Sequence, residues 1–446
     1  MGSDKHIEKT IRAISAKDAS AAGTYQALSG DARKKVLKTL SAAGLKSLTR
    51  LMKDAKKKSF QAANKKFLEI AQGVITTPVY LLDETLIEEN MRILRYVKER
   101  TGCKVLHALK AYASFATFPM MSRHLDGTCA SGLNEARLGY EEFKKEVHTF
   151  AAAYRKKEIG QILRYSDSII FNSFYGLDKY GKMARKSGVE IGLRVNPGHA
   201  EVATEMYNPC APCSRLGIIH GTFEVDFPKH KNLVDGLHFH AMCEQNSDVL
   251  ERILNVFEKL YGQYIKGLKW VNFGGGHHIT RDDYDLERLI RLINAFKEKY
   301  AVQVYLEPGE ASVYNAGVLI SSVLDIIKNE MEIAILDASA ETHMPDVLLM
   351  PYRPHILQSA QPHEKRYTYR LAGPSCLAGD VMGDYSFDQP LKRGGKLVFS
   401  DMALYSIVKS TTFNGIGLPD IAVVRDGGTV ETVKKFGYKD YRGRQS

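Results

Sequence analysis

The feature that most constrains this chain is a repeated alternation. Between residues 104 and 309, eight short β-rich runs are separated by stretches that read as amphipathic helices. The runs are 104–110 (KVLHALK), 127–131 (GTCAS), 146–152 (EVHTFAA), 168–173 (SIIFNS), 190–196 (EIGLRVN), 236–241 (GLHFHA), 270–276 (WVNFGGG) and 302–309 (VQVYLEPG). Eight such units is the count of a (β/α)8 TIM barrel, in which chemistry collects at the C-terminal strand ends because the βα loops gather on that face. The polar residues obey this rule: Lys110, Ser131, Asn172, Asn196, His240, Gly274 to Gly276 and Glu307 each close a run. Beyond residue 321 the texture changes to β-rich segments at 332–336, 367–371 and 396–399, broken by Gly and Pro turns. The expected fold class is therefore α/β, with a barrel over residues 76–320 and a C-terminal all-β domain over 321–446. A strand near 78–83 is expected to join the β domain.

Charge separates off a third segment. The chain carries 62 Lys and Arg against 51 Asp and Glu, a formal +11, but residues 1–75 hold 16 against 6 of these and the remaining 371 residues are close to neutral. Within 32–58, Val36, Leu37, Leu40, Leu45, Leu48, Leu51 and Met52 recur at roughly helical spacing among Lys and Arg, which predicts one or two basic amphipathic helices. A membrane-surface arm, a nucleic-acid arm and an organellar transit peptide are the functional alternatives. The favoured reading is an appended helical extension with a solvated Lys face, because acidic residues stand near its start and aromatics are few. No apolar run approaches a bilayer span and no compact secretory core is present, so a cytoplasmic protein with neither a membrane nor a nucleic-acid partner is expected. Six Cys is ordinary intracellular usage; the close pair Cys210 and Cys213 lacks a second pair or nearby His, so no metal is expected there.

Four features of the barrel runs describe one kind of chemistry. Lys110 ends the first run among apolar neighbours, where loss of hydration lowers an amine's pKa and fits it to form a Schiff base. Gly274, Gly275 and Gly276 let backbone N–H groups approach an anion such as a phosphate. Glu307 would aim a carboxylate into the barrel mouth, suited to a protonated ring nitrogen. His238 and His240 alternate with Leu237 and Phe239, so both imidazoles are expected to face the barrel interior, and a flat ring there could stack on a pyridine. Each feature has a bland alternative: a solvated Lys, a tight turn, a salt-bridged Glu, a satisfied core His. Together they describe a pyridoxal 5'-phosphate site.

The same residues resemble a known family, the fold-type III pyridoxal phosphate decarboxylases, over about residues 76–441. HALKAY looks like the family's cofactor-lysine strand, HFHAMCE its stacking-histidine strand, GGGHHIT its phosphate loop and EPGE its pyridine-nitrogen motif. GPSCLAGDVMGDY is similar to its cysteine motif, and ALYSIVKSTTFNG to its closing Tyr and Phe-Asn-Gly segment. The strings YNPC, SRLGI, WVNFGGGHHIT, EPGEA, HMPD and CLAGDVMGDY resemble the carboxynorspermidine decarboxylase branch. The ornithine and diaminopimelate branches usually carry Arg after EPG, where this chain has Glu310, a charge that suits a substrate with several ammonium groups.

The resemblance implies a barrel of the alanine racemase and ornithine decarboxylase type and decarboxylation of carboxynorspermidine or carboxyspermidine. Lys110 would hold the cofactor, His240 would pack on its ring, Glu307 would keep the ring nitrogen protonated, and Gly274, Gly275, Gly276 and Tyr405 would hold the phosphate. It also implies a homodimer in which Cys376 and Asp380 enter the neighbouring subunit's site, Cys376 as proton donor and Asp380 as an amine-recognising carboxylate. A small buried hydrophobe and a turn cap are the structural alternatives for these two. Glu244, Glu310, Asp346 and Asp380 are the candidate contacts for substrate amines. The rival readings are a diaminopimelate or other basic amino-acid decarboxylase, an alanine-racemase-type isomerase, and a non-catalytic regulator on the same scaffold.

Overall fold

The computed structural model describes residues 2–73 and 76–446, and these form two compact units. One draws on Met1–Lys57, Glu89–Lys110 and Thr117–Ser312, the other on Lys58–Glu88, Ala111–Ala116 and Val313–Ser446. The boundary expected at residue 75 lies outside the described residues.

Strand β1 (Val79–Asp83) belongs to the second unit. The first unit is built on β2 (Lys104–Ala108), β3 (Gly127–Ala130), β4 (Glu146–Phe150), β5 (Ser168–Phe171), β6 (Glu190–Asn196) with the two-residue β7 (Ile218–Ile219) added to its end, β8 (Gly236–His238), β9 (Trp270–Asn272) and β10 (Gln303–Leu306). Apart from β7 these pair in parallel around a closed ring, β2 beside β10 and β5 beside β6. All eight expected runs contain strands, seven beginning at the first residue of the run and β10 at the second. The β5, β8 and β9 residues are all buried, as expected for strands covered on both faces. Trp270 fills the interior near the amino ends of the strands: a Cβ on Gly236 would stand 2.1 Å from its ring and one on Gly192 2.4 Å. One level higher the register aligns Arg194 with His238 and His238 with Asn272, a layer of polar side chains across the barrel.

The N-terminal residues form four helices: α1 (Gly2–Ser15), α2 (Ala21–Gln26), α3 (Gly30–Thr39) and α4 (Ala42–Gln72), the last two covering 32–58, where one or two were expected. Ile14, Tyr25, Val36, Leu48 and Met52 are buried. Helix α5 (Glu84–Thr101) anchors them, because Glu99 accepts from Arg33 Nε at 2.7 Å and from the Tyr25 hydroxyl at 2.9 Å. The expected solvated lysine face is corrected in part, since Lys56 is buried.

In the second unit the sheet runs β14–β13–β12–β11–β1–β16–β17, with β15 on β11. Its further strands are β11 (Gly317–Asn329), β12 (Met331–Leu336), β13 (Tyr367–Ala372), β14 (Val381–Phe387), β15 (Lys396–Ser400), β16 (Asp420–Val424) and β17 (Val430–Lys434). Its core packs Leu319, Leu336, Tyr369, Leu371, Tyr385 and Phe399. Among the described residues no helix is long and apolar enough to cross a membrane.

Candidate active site

The carboxyl ends of the barrel strands gather most of the expected residues. Glu307, one residue past β10, is buried and accepts from Asn272 Nδ2 at 2.7 Å, with His238 Nε2 at 3.3 Å from its other oxygen. Burial pushes its carboxyl up, but the His238 ring and the Asn272 amide outweigh this and hold it at about 2. Glu307 is therefore ionised at neutral pH. His238, His240 and Glu307 offer side-chain atoms within 4.8 Å of one another, so the alternation argument that turned both imidazoles inward holds.

His240 lies two residues past β8, and its Nδ1 accepts the Gly275 N–H at 2.9 Å. That bond places the ring proton on Nε2. Burial, followed by the Lys110 and Arg194 charges, holds the ring well below the ordinary histidine value, so it is a neutral flat surface. Lys110 itself stands two residues past β2 and is exposed. Its charge acts on His240, on His238 and on Cys129 one strand away.

The three glycines have a cause additional to the anion reading. Gly274 and Gly276 adopt φ of +70° and +82°, and a Cβ would stand 2.4 Å from the Phe239 carbonyl at 274, 2.5 Å from the Glu307 carbonyl at 275 and 2.1 Å from the Met242 carbonyl at 276. Only glycine allows the backbones to approach so closely. The Gly274 N–H is committed to Asn272 Oδ1 at 2.8 Å and the Gly275 N–H to His240. The first two glycines therefore shape the rim rather than offer free donors, which corrects their expected role as phosphate ligands.

A second cluster sits at the rim. His278 Nε2 and Glu310 Oε2 meet at 2.9 Å, both residues buried, and Glu244 brings its carboxylate within 4.8 Å of them. Burial and then the neighbouring Glu310 push the Glu244 carboxyl up, against the pull of His278. Two of the four expected amine contacts are thus brought together around one imidazole.

In the sheet unit, Cys376 is exposed and its N–H donates to Asn414 Oδ1 at 2.8 Å, so the Gly-Pro-Ser-Cys loop meets the Phe-Asn-Gly segment. Tyr405, at φ +53°, donates its N–H to the Ala111 carbonyl at 2.8 Å. Asp346 is paired with Lys409 at 2.6 Å, and the Lys409 ammonium lies 5.1 Å from the Tyr405 ring centroid. Asp380 departs from its expected role. It is 2% exposed and accepts from Ser339 Oγ at 2.9 Å and from the N–H groups of Ala340 at 2.7 Å, Ser375 at 3.2 Å and Glu341 at 3.3 Å. Its oxygens cap a turn of its own chain, so the capping alternative replaces the amine contact.

Sequence reasoning passed over Arg194, Asn272 and His278. Arg194 is buried, its guanidinium 4.5 Å from the Phe150 ring centroid, and desolvation lowers it to about 10. The signal was present, since Arg194 and Asn272 are the polar members of apolar strands in register with His238.

An ionised carboxylate beside a neutral imidazole, an accessible amine and a glycine rim form a donor set that fits pyridoxal phosphate. The buried His238 ring nitrogens have no hydrogen-bond partner of good geometry, which leaves Glu307 with capacity to pair with a ring N–H.

Comparison with known proteins agrees. The family model for pyridoxal-dependent decarboxylases, described by its C-terminal sheet domain, matches residues 37–403. A carboxynorspermidine/carboxyspermidine decarboxylase of Campylobacter jejuni is 45% identical over 379 residues, covering 82% of this chain and 98% of that one. A carboxyaminopropylagmatine decarboxylase of Synechocystis is 40% identical, covering 83% and 95%. The crystal structure of the Campylobacter jejuni carboxynorspermidine decarboxylase complexed with norspermidine superimposes with a TM-score of 0.78 at 44% identity, over 83% of this chain and all of that one. The chain belongs to the pyridoxal-dependent decarboxylases, barrel enzymes with a C-terminal sheet domain that use pyridoxal 5'-phosphate.

Proposed function

We propose that this enzyme decarboxylates carboxynorspermidine and carboxyspermidine to norspermidine and spermidine, a step of polyamine biosynthesis. The observation that carries this reading is the pairing of Glu310 with His278 beside Glu244. Two carboxylates at one corner of the rim favour ammonium groups, whereas a distal carboxylate, as in diaminopimelate, would need a cation there.

When bound, pyridoxal phosphate supplies the electron sink for the pair left at the substrate α-carbon as carbon dioxide departs. Lys110 would hold the cofactor through its amine, and the ionised Glu307 would keep the ring nitrogen protonated. The neutral His240 would pack on the ring, its orientation fixed by the Gly275 N–H. Gly276 and Tyr405 would take the phosphate, Gly274 and Gly275 closing the rim behind them. Glu244 and Glu310 would seat the distal amines. Asp346, neutralised by Lys409, would act at most through that lysine.

Proton return to the α-carbon would fall to the thiol of Cys376 of the partner subunit, in a homodimer whose sites are shared across a two-fold interface. The proposed division is an extension over residues 1–75, a cofactor barrel over 76–320 whose first strand, near 78–83, joins the β domain, and a sheet domain over 321–446, in a cytoplasmic enzyme.

The test is carbon dioxide release from carboxynorspermidine, carboxyspermidine, carboxyaminopropylagmatine, diaminopimelate and ornithine. The first two are expected to have the highest kcat/KM; turnover of diaminopimelate or ornithine alone would overturn the substrate assignment, and no turnover of any would support the non-catalytic alternative.

A further inference from the structure

Helix α4 reaches the rim from outside the barrel. Lys56, 5% exposed, donates from Nζ to the Thr280 carbonyl, and Lys53 Nζ donates to the carbonyls of Asp282 at 2.7 Å and Tyr284 at 2.6 Å. These carbonyls belong to the segment that leaves the barrel directly after Gly276, His277 and His278. Thr280 in turn donates from Oγ1 to the Ala311 carbonyl at 2.7 Å, next to Glu310, and Glu310 closes the circuit on His278 at 2.9 Å. Three hydrogen bonds, linked through the backbones of Thr280 and Glu310–Ala311, thus join the extension to the cluster at the rim.

A lysine loses hydration on burial and tolerates it only where acceptors replace the water. Here the acceptors are backbone carbonyls, so the ammonium groups fix the path of the loop rather than the position of one side chain. Burial pulls the Lys53 ammonium below its ordinary value even with Asp282, Asp283 and Asp285 near it. Lys46, Arg50 and Lys53 share a groove with Asp282, Asp285 and Glu287, which Arg288 and Arg291 also line. Thr49 Oγ1 on Glu287 Oε1, at 2.8 Å, fixes α4 along the same edge.

We propose that the N-terminal extension is a positioning element of the active site: through Lys56 and Lys53, α4 sets the backbone of residues 277–284 and with it the His278–Glu310 pair that receives a substrate amine. The basic extension then serves the enzyme's own rim rather than a nucleic acid or a membrane. The substrate half of this proposal rests on the polyamine reading above; the loop half does not.

The test uses the full chain carrying Lys56→Met, Lys53→Met or both, with Lys56→Arg as the conservative control. Hydrogen exchange of the peptide 277–284, without substrate, is expected to accelerate in the Met variants while peptides of β5 do not change, and Lys56→Arg is expected to restore most of the protection. With carboxynorspermidine, KM is expected to rise on the order of tenfold with kcat little changed, since a misplaced loop alters seating more than chemistry. Unchanged exchange at 277–284 would overturn the clamp. Faster exchange with an unaltered KM would overturn its role in substrate seating. An equal rise in exchange across the whole barrel, with a lowered unfolding midpoint, would reduce the contact to general stability. If the wild-type enzyme fails to turn over carboxynorspermidine, the substrate assignment fails and the exchange measurement still decides the clamp.

Discussion

Asp380 separates a structural from a functional reading of one buried carboxylate. In Asp380→Ala, four donors lose their acceptor: the Ser339 hydroxyl at 2.9 Å and the N–H groups of Ala340 at 2.7 Å, Ser375 at 3.2 Å and Glu341 at 3.3 Å. The last two are long and contribute little. Each of the two well-made contacts, left unsatisfied in a site that is 2% exposed, costs about 1–3 kcal/mol, so the loss is about 2–6 kcal/mol in the sheet unit. At about 2–4 °C per kcal/mol for a unit of this size, the unfolding midpoint is expected to fall by roughly 10 °C. Asp380→Asn keeps one oxygen for the Ala340 N–H and is expected to lose about half as much. The decisive assay pairs the thermal midpoint with steady-state kinetics at a temperature where both variants stay folded. Capping predicts the graded loss of midpoint with KM unaltered. A midpoint within a degree or so of wild type, joined to a large rise in KM for the polyamine substrate, would refute the reasoning and restore the amine contact.

Three further substitutions test the barrel. Gly236→Ala would drive a Cβ to 2.1 Å from the Trp270 ring, and the overpacking is expected to cost about 1–3 kcal/mol by denaturant midpoint; a neutral variant would show that the Trp270 layer has slack. Glu307 is held at about 2 against 4.5 for an ordinary glutamate, so its ionised form stabilises the fold above pH 4.5 and that contribution is lost as pH falls toward 2. The stability gap between wild type and Glu307→Gln should therefore narrow from about pH 4.5 down to about pH 2, and a gap independent of pH would contradict the assignment. Glu310→Gln removes the charge that helps to push the Glu244 carboxyl up, so the acidic limb of a KM-against-pH profile should move to lower pH while KM itself rises about tenfold to a hundredfold, the weight of one charge-assisted contact; an unmoved limb would dissociate the two carboxylates.

The barrel was legible because covered parallel strands are short continuous apolar runs, and because a polar residue at the end of such a run has few structural reasons to be there. All eight runs became strands and Lys110, His240 and Glu307 lie within two residues of strand ends. The sheet unit was less legible. Strand β17 is mostly exposed and carries no apolar alternation, and β14 follows the cysteine loop so closely that its residues read as motif. Asp380 was misread for a related reason: its capping partners Ser339 and Ala340 stand some forty residues earlier, a separation that no local pattern reveals. Lys53 falls on the polar side of the helical repeat, whereas Lys56 follows Leu48 and Met52 on its apolar stripe, and periodicity alone cannot say which acceptor a lysine there would find.

The barrel interior explains why the site tolerates so much buried charge. Near the amino ends of the strands, Trp270 packs against Gly192 and Gly236 and donates its indole N–H to Glu190 at 2.9 Å. Above it, Arg194, His238 and Asn272 form a layer that no apolar core requires and that carries a cost of desolvation. That cost is offset from the rim: Glu307 raises Arg194 toward its charged form, Asn272 donates to Glu307 at 2.7 Å, and the His238 ring lies 3.3 Å from its other oxygen. The layer is therefore support for one carboxylate, holding it ionised in a place where burial alone would protonate it. Arg194 also donates from Nη2 to the His240 carbonyl at 3.3 Å, so the same cation that balances Glu307 touches the backbone of the imidazole packed beside it. Charge and orientation at the cofactor face are thus set together by residues one turn of the pleat below it.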